Sequence, residues 1–421
     1  MASIVDIVYS VCCGIDVHKN FLVACIATTD KRGHTTHQIR RFSTYKGDLR
    51  RLVDWLSASN CMDVCMESTG KYWIPVFNTL EKTCNVCLTH PKYVKAIKGQ
   101  KTDKKDAKWI AELFKCDLVR SSFIPPEDIR QLRELCRYHA KLTHINTSEK
   151  NRGQNCLTVC NFKLDDVFSD VFGASATRII DQLLKLGHSN FDIAPLLDKH
   201  CKATVKQVEA ALDGELSLAQ AEKLKLIRQH MKSLANLKSA LENLLFQLTE
   251  KFKPQIDLLM TVPGIATPLT AIRILAEIGV DMSVFETSKH LCSWSGLTPQ
   301  NNESANKKKT TRISHAGTYL KPLLVQIALA VSKSKKHPEL KGKYQNLKKR
   351  RSHKKATIAV ARKLLTAIWH ILSKNVPYNA NLYNKADKPP VDRVLTPEQA
   401  FALLRSKGYE IVIPEVPGPA A

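Results

Sequence analysis

Apolar residues recur along this chain with two different periods, and the change of period divides it. Over 11–42 they come as three short runs, parted by His18-Lys19-Asn20 and Lys31-Arg32-Gly33-His34, which predicts three strands and two turns. Leu49, Leu52, Val53 and Leu56 follow at helical spacing, so 46–59 is an amphipathic helix. Asp63-Val64-Cys65-Met66-Glu67 is a further strand, ending at Ser68-Thr69-Gly70. A helix over 73–82 and a strand over 85–89 come next. Three strands, helix, strand, helix, strand predicts a mixed sheet with helices laid over it.

Beyond Pro125-Pro126 the period is helical throughout. Ile129, Leu132, Leu135, Leu142 and Ile145 predict a long helix over 128–150, and 151–215 is mixed and helical. Ser217 and Gln220 form a capping pair for a helix that runs to about 252, before Pro254. That helix carries two leucine-rich seams. Leu224, Ile227, Met231 and Leu234 make one, and Leu237, Leu241, Leu244 and Leu248 make the other after a three-residue step. Such a step occurs in coiled coils as a stammer. The expectation is an intermolecular or antiparallel coiled coil, with an ordinary internal helix as the alternative. Residues 258–275, broken at Pro263-Gly264, read as a helix-hairpin-helix whose turn at Gly264 offers backbone N–H groups to a phosphate; a plain helical hairpin is the other reading. Residues 294–317 are polar, basic and flanked by Gly and Pro, so a loop is expected. Helices over 319–332 and 355–372 follow, and Leu395-Thr396-Pro397-Glu398 opens one last short helix. The fold class expected is α/β plus α in four units: a mixed-sheet domain at 1–125, a helical and coiled-coil region at 126–253, a helical domain at 254–375, and a tail at 376–421.

Charge sharpens this division. The chain has 64 Lys+Arg against 39 Asp+Glu, a formal +25. Between 303 and 374 there are 19 Lys+Arg and only two carboxylates, Glu303 and Glu339. Such an excess selects an anionic partner, with nucleic acid the default. Candidate contacts are Lys307, Lys308, Lys309 and Arg312 in the basic loop, and Lys348, Lys349, Arg350, Arg351, Lys354 and Lys355 beyond it. No apolar run of about 18 residues is present, so no membrane span is expected. The start lacks a basic n-region, so it does not read as a signal peptide. Thirteen scattered Cys point to a reducing cytoplasm. Cys61-x3-Cys65 and Cys84-x2-Cys87 superficially resemble zinc spacing, but strand residues three apart face opposite sides, so these read as core residues.

The candidate chemistry lies in four carboxylates and a serine. Asp16 interrupts an apolar strand, and burying it unpaired would cost several kcal/mol, roughly, so it needs a cation, a metal or a proton, unless it faces water from an edge strand. Glu67 ends its strand just before a Gly, where open α/β sheets place ligand sites; a helix-start carboxylate is the alternative. Asp103 and Asp106, three apart, share one face at a helix start, or serve as an N-cap and a solvated charge. Together the four suit magnesium and two-metal phosphoryl transfer. Ser304, beside Lys and Arg, either attacks phosphorus or sits in a loop that grips a phosphate backbone.

Three motifs in this order then carry a resemblance. Gly14-Ile15-Asp16-Val17-His18-Lys19, Glu67-Ser68-Thr69-Gly70 and Thr102-Asp103-Lys104-Lys105-Asp106-Ala107 resemble the RuvC-like amino-terminal domain of the insertion-sequence 110 family of transposases. Thr261-Val262-Pro263-Gly264-Ile265, through Gly296-Leu297-Thr298-Pro299 to Ser304 and Gly317, resembles that family's carboxy-terminal domain. The resemblance implies a ribonuclease-H-like first domain in which Asp16, Glu67, Asp103 and Asp106 hold Mg2+. It implies Ser304 as a nucleophile forming a covalent phosphoserine–DNA link. It also implies a homo-oligomer, dimer or tetramer, and a structured bridge RNA that selects donor and target DNA. The enzyme so expected is a cytoplasmic, nucleoid-associated DNA transposase or recombinase. Two other readings remain: a metal-dependent, structure-specific nuclease like a junction resolvase, in which Ser304 only grips phosphate, and a non-catalytic nucleic-acid-binding scaffold.

Overall fold

A computed structural model describes residues 6–68, 70–94, 102–300, 302–304, 307–310, 312–383, 397–406 and 408–409. Its first part is a five-stranded sheet. Strands β1 (Val11–Val17), β2 (Phe21–Thr29) and β3 (Thr35–Ser43) form an antiparallel meander, and β4 (Asp63–Glu67) and β5 (Asn85–Thr89) add in parallel beside β1. The strand order is β3-β2-β1-β4-β5. Helices α1 (Lys46–Ala58) and α2 (Trp73–Leu80) cover one face. After the short α3 (Pro91–Val94), helix α4 (Asp103–Lys115) covers the other.

The alternation of side chains along each strand sorts residues between these layers. Cys13, Ile15 and Val17 join Leu52, Leu56 and Leu80 on the α1–α2 side, whereas Cys12, Val23, Cys25 and Cys65 meet Ala107, Ile110 and Phe114 of α4. Burying a side chain such as Ile110 or Phe114 contributes roughly 1.5–3 kcal/mol. The sheet with flanking helices is broadly ribonuclease-H-like, as expected. All thirteen cysteines are free thiols, and Cys61, Cys65 and Cys84 are buried core residues.

Helix α5 (Glu127–Val159) is longer than its apolar spacing predicts and acts as a beam. At its start, Arg130 pairs with Glu81 just past α2. After α5 come α6 (Leu164–Val167), α7 (Ala174–Leu186) and α8 (Val205–Ala211), which share a small core around Phe162, Ile180 and Val208. Helix α9 (Leu218–Leu248) then returns antiparallel to α5. His230 meets Glu149, Glu242 meets His139 and Lys251 meets Asp128, so the partners' numbers fall on one helix as they rise on the other.

No coiled coil is evident among the described residues. The second leucine seam expected from the sequence is not the packed one: Leu234, Leu241 and Leu245 are buried, while Leu237, Leu244 and Leu248 are exposed. The pair is the ordinary internal packing that the sequence left as the alternative.

The remaining helices are α10 (Lys253–Met260), α11 (Pro268–Ile278), α12 (Ser288–Trp294), α13 (Leu320–Lys333), α14 (Pro338–Arg350), α15 (His353–Lys374) and α16 (Pro397–Ser406). The first six of these share a core with the starts of α5 and the end of α9. Arg137 grips the buried Glu277 of α11 with two bonds of 2.8 Å, and Arg133 donates to the Ala276 and Glu277 carbonyls, tying the beam to this core.

The expected helix-hairpin-helix is likewise not evident among the described residues. The turn after α10 packs inward through Val262 and Ile265. A Cβ at Gly264, which has φ +84°, would lie 2.6 Å from Val331 and 2.9 Å from Ile327 of α13. Helix α11 begins only at Pro268, where the Thr267 hydroxyl already accepts the Thr270 N–H. The expected loop at 294–317 is in part a hairpin, β6 (Asn302–Ser304) with β7 (Lys307–Thr310). By length and composition α15 alone among the described helices reaches membrane-spanning size, but Val360, Leu364, Leu365 and Ile368 bury its apolar side in the core.

Candidate metal centre

The site forms where three elements end. Ile15 of β1 lies opposite Met66 of β4 in parallel register, so the next residues, Asp16 and Glu67, come side by side. Both continue the faces of Cys12 and Cys65, the α4 side. Helix α4 brings Asp103 and Asp106 in its first turn, which starts where the Thr102 hydroxyl accepts the Lys105 N–H.

The approach of α4 depends on Gly14. A Cβ there would lie 2.3 Å from the Ala111 nitrogen and 2.4 Å from the Ala107 carbonyl oxygen. These are backbone atoms of α4, so no rotamer change relieves the clash. With glycine at that point the helix rests directly on β1, and its acidic first turn reaches Asp16.

Asp16 is 8% exposed. Burial pushes its carboxyl up from the ordinary range; His18 pulls it down, and Asp106, Glu67 and Asp103 push it further up. All four predicted carboxylates therefore act on one locus. The tightest group among the described residues is Asp16, His18 and Asp103, whose ligand atoms lie within 4.8 Å of one another. The His18 Nε2 is 3.2 Å from an Asp16 oxygen and 3.4 Å from an Asp103 oxygen, yet it is buried and makes no hydrogen bond. A buried nitrogen left unsatisfied between two carboxylates is an expensive arrangement for a purely structural cluster. Two carboxylate oxygens and an imidazole nitrogen are instead a fitting donor set for a divalent ion.

From the sequence alone His18 reads only as a turn residue. Its signal was available: it stands two residues after Asp16 in an extended hairpin, hence on the same face. The His18 ring also packs against Phe21, with centroids 4.6 Å apart and planes tilted by 37°.

The predicted serine nucleophile does not survive. The group that the fold assembles, and that could hold a metal ion, is Asp16–His18–Asp103, on β1, the following turn and α4. Ser304 lies on none of these elements, but on β6, paired with Lys307 in a separate two-stranded sheet. This arrangement therefore fits a carboxylate–imidazole metal group and not a covalent phosphoserine route.

The predicted basic contacts divide in the same way. Lys307, Lys308 and Lys309 are on β7, and Arg312 is exposed just after it. Lys348, Lys349, Arg350, Arg351, Lys354 and Lys355 are all exposed around the α14–α15 junction. Only Leu340 and Tyr344 of α14 are buried, so its basic side faces solvent.

Comparison with known families places this geometry. Residues 13–162 match the DEDD-type IS110 model described as a transposase, and residues 256–345 match the model of the transposase IS116/IS110/IS902 family. The chain is a homologue of the IS110/IS902 transposases. With the Asp–His–Asp group, both matches make it an enzyme of phosphoryl transfer.

Two transposases and a gene-inverting protein are among the relatives to which this chain is similar. A probable family 20 transposase of Pseudomonas aeruginosa is 25% identical over 75% of this chain and 85% of its own length. A pilin gene-inverting protein of Moraxella lacunata is 25% identical over 88% and 98%. The transposase for insertion sequence element IS1111A of Coxiella burnetii is 25% identical over 87% and 90%. Among solved structures, Fowlpox virus resolvase with Holliday junction DNA matches 25% of this chain and 72% of that one at 17% identity, with a TM-score of 0.18.

Proposed function

We propose that this transposase homologue is a metal-dependent, structure-specific DNA nuclease that cuts as a junction resolvase does. The observation that carries this reading is the orphaned His18 Nε2 held between Asp16 and Asp103. A bound divalent ion would polarise the scissile phosphate and supply a hydroxide-like nucleophile near neutral pH. Asp16, His18 and Asp103 would hold it, and Glu67 and Asp106 keep the locus anionic. Mg2+ is the ion expected from the family; the imidazole makes Mn2+ an equally good probe.

The chain's own part is binding and positioning. The exposed cations of α14 and α15, with Lys307, Lys308, Lys309 and Arg312, would track the DNA backbone, a contact set by phosphate charge rather than by base sequence. The same surface suits a structured RNA partner. The four sequence units at 1–125, 126–253, 254–375 and 376–421 are our proposed division of labour, the first for cutting and the third for backbone binding. A homo-oligomer acting on nucleoid DNA in the cytoplasm completes the proposal.

The test is cleavage of duplex and four-way-junction DNA in Mg2+ or Mn2+, with Mn2+ binding followed by electron paramagnetic resonance. Asp16→Asn and Asp103→Asn should each lower cleavage by about a thousandfold, since Lewis-acid stabilisation is worth several kcal/mol. Both should weaken Mn2+ binding and leave DNA binding intact. Cleavage that persists in Asp16→Asn, or a wild-type protein that binds no Mn2+, would overturn the reading.

A further inference from the structure

The metal group is not the end of the polar surface on this face of the sheet. A cleft of about 530 Å3 opens beside it, and Val23, Ile39, Arg41, Asp103 and Lys104 are among the residues that line it. Asp103 belongs to both, so cleft and metal group are continuous.

Strand register shows how they are related. Asp16 pairs with Val23, and Val23 pairs with Arg41, on three successive strands. Residues directly opposite in antiparallel strands point to the same face. Arg41 therefore stands two strands from Asp16, roughly 10 Å across the sheet. Arg40, the next residue, turns to the other layer, where its guanidinium lies 5.0 Å from the centre of the Trp55 ring.

Arg41 is held but not neutralised. Its guanidinium lies 3.8 Å over the Phe21 ring, and Phe21 packs against His18 at a tilt. It is exposed, and among the described residues neither it nor Lys104 has a carboxylate partner. A guanidinium stacked on a ring keeps its N–H edge free, and that edge matches two phosphate oxygens. Val23 and Ile39 give the cleft an apolar wall against which a sugar can rest.

We infer that this cleft binds a phosphate of the DNA strand next to the one at the metal group, with Arg41 as its main ligand and Lys104 as a second cation. The inference rests on the nuclease reading for what lies at Asp16. Arg41 is a substrate-binding residue in it, linked through Phe21 to His18.

The test is fluorescence anisotropy of labelled DNA oligonucleotides across a salt titration, in EDTA. Arg41→Gln should weaken binding about tenfold at low salt, the worth of one charge-assisted contact. It should also reduce the slope of log K against log salt by about one. Arg50→Gln is the control, since it removes the same charge from α1 on the opposite layer. Equal effects of the two changes, or none from Arg41→Gln, would overturn the cleft. Because no metal is present, this result is separate from the nuclease test. Mn2+ binding without an Arg41 effect defeats the cleft alone, and an Arg41 effect without Mn2+ binding defeats the nuclease alone.

Discussion

The sheet domain and the basic helices use charge in opposite ways. Around Asp16 a few carboxylates converge, partly buried, on one small volume. Around α14 and α15 many cations spread over solvent-exposed surface. Convergence requires the backbone to be placed within tenths of an ångström, whereas spreading requires only that helices have a polar side. The first arrangement should therefore fail at a single substitution, and the second should fail gradually.

Substitutions can break or sharpen that contrast. The largest effect after loss of Asp16 itself belongs to a combined change. Replacing Lys348, Lys349, Arg350 and Arg351 together by Gln should cut the salt slope of DNA binding by about three to four, at roughly 0.9 per lost phosphate contact. Each single replacement should remove about one, and Mn2+ affinity should not move. A single lysine that abolished binding alone would contradict the spreading argument.

Next comes Gly14→Ala. It places a Cβ against the α4 backbone, so overpacking should cost about 3 kcal/mol in urea unfolding, at the upper end of such changes. The same variant should lose Mn2+ binding, because α4 carries Asp103. Unchanged stability and metal binding would show that α4 does not depend on this contact.

The smallest effect lies in the beam between the two regions. Burial pushes the His139 imidazole down, against an upward pull from Glu242, so the folded state holds that proton less well than the unfolded chain. This contribution is fully present above the unfolded value of about 6.5 and is lost as pH falls below it. The melting temperature should drop on acidification below that point, and the drop should be shallower by roughly a degree or two in His139→Gln. An identical pH profile in the two proteins would remove His139 from the account.

The two regions also differ in how far the sequence discloses them. Five strands and the helices between them follow from alternation and turn residues, and the four carboxylates stand where those elements end. This legibility has a cause: a strand's period of two assigns faces directly. Helical periodicity is weaker evidence, because it identifies a helix without saying which stripe meets a neighbour. Leu237, Leu244 and Leu248 keep a regular spacing and still face solvent. The hairpin at β6 and β7 is hidden for another reason, since Lys307-Lys308-Lys309-Thr310 has no apolar alternation to reveal a strand. At 258–275 the Pro-Gly turn was visible, but the core that claims it lies on α13, more than fifty residues later. His18 was legible by the same rule as Asp16; only the company of a carboxylate two residues away marks it as a donor.

Gly14 also bears on how such a protein can change over generations. Every other standard residue adds at least a Cβ at that position, so every replacement meets the Ala107–Ala111 backbone. The basic surface offers many neighbouring sequences of nearly equal fitness, since lysines can be lost one by one and regained elsewhere. At Gly14 there is no such series of small steps. A copy that mutates there leaves the functional population at once, while copies that drift in charge persist and diversify in what they bind.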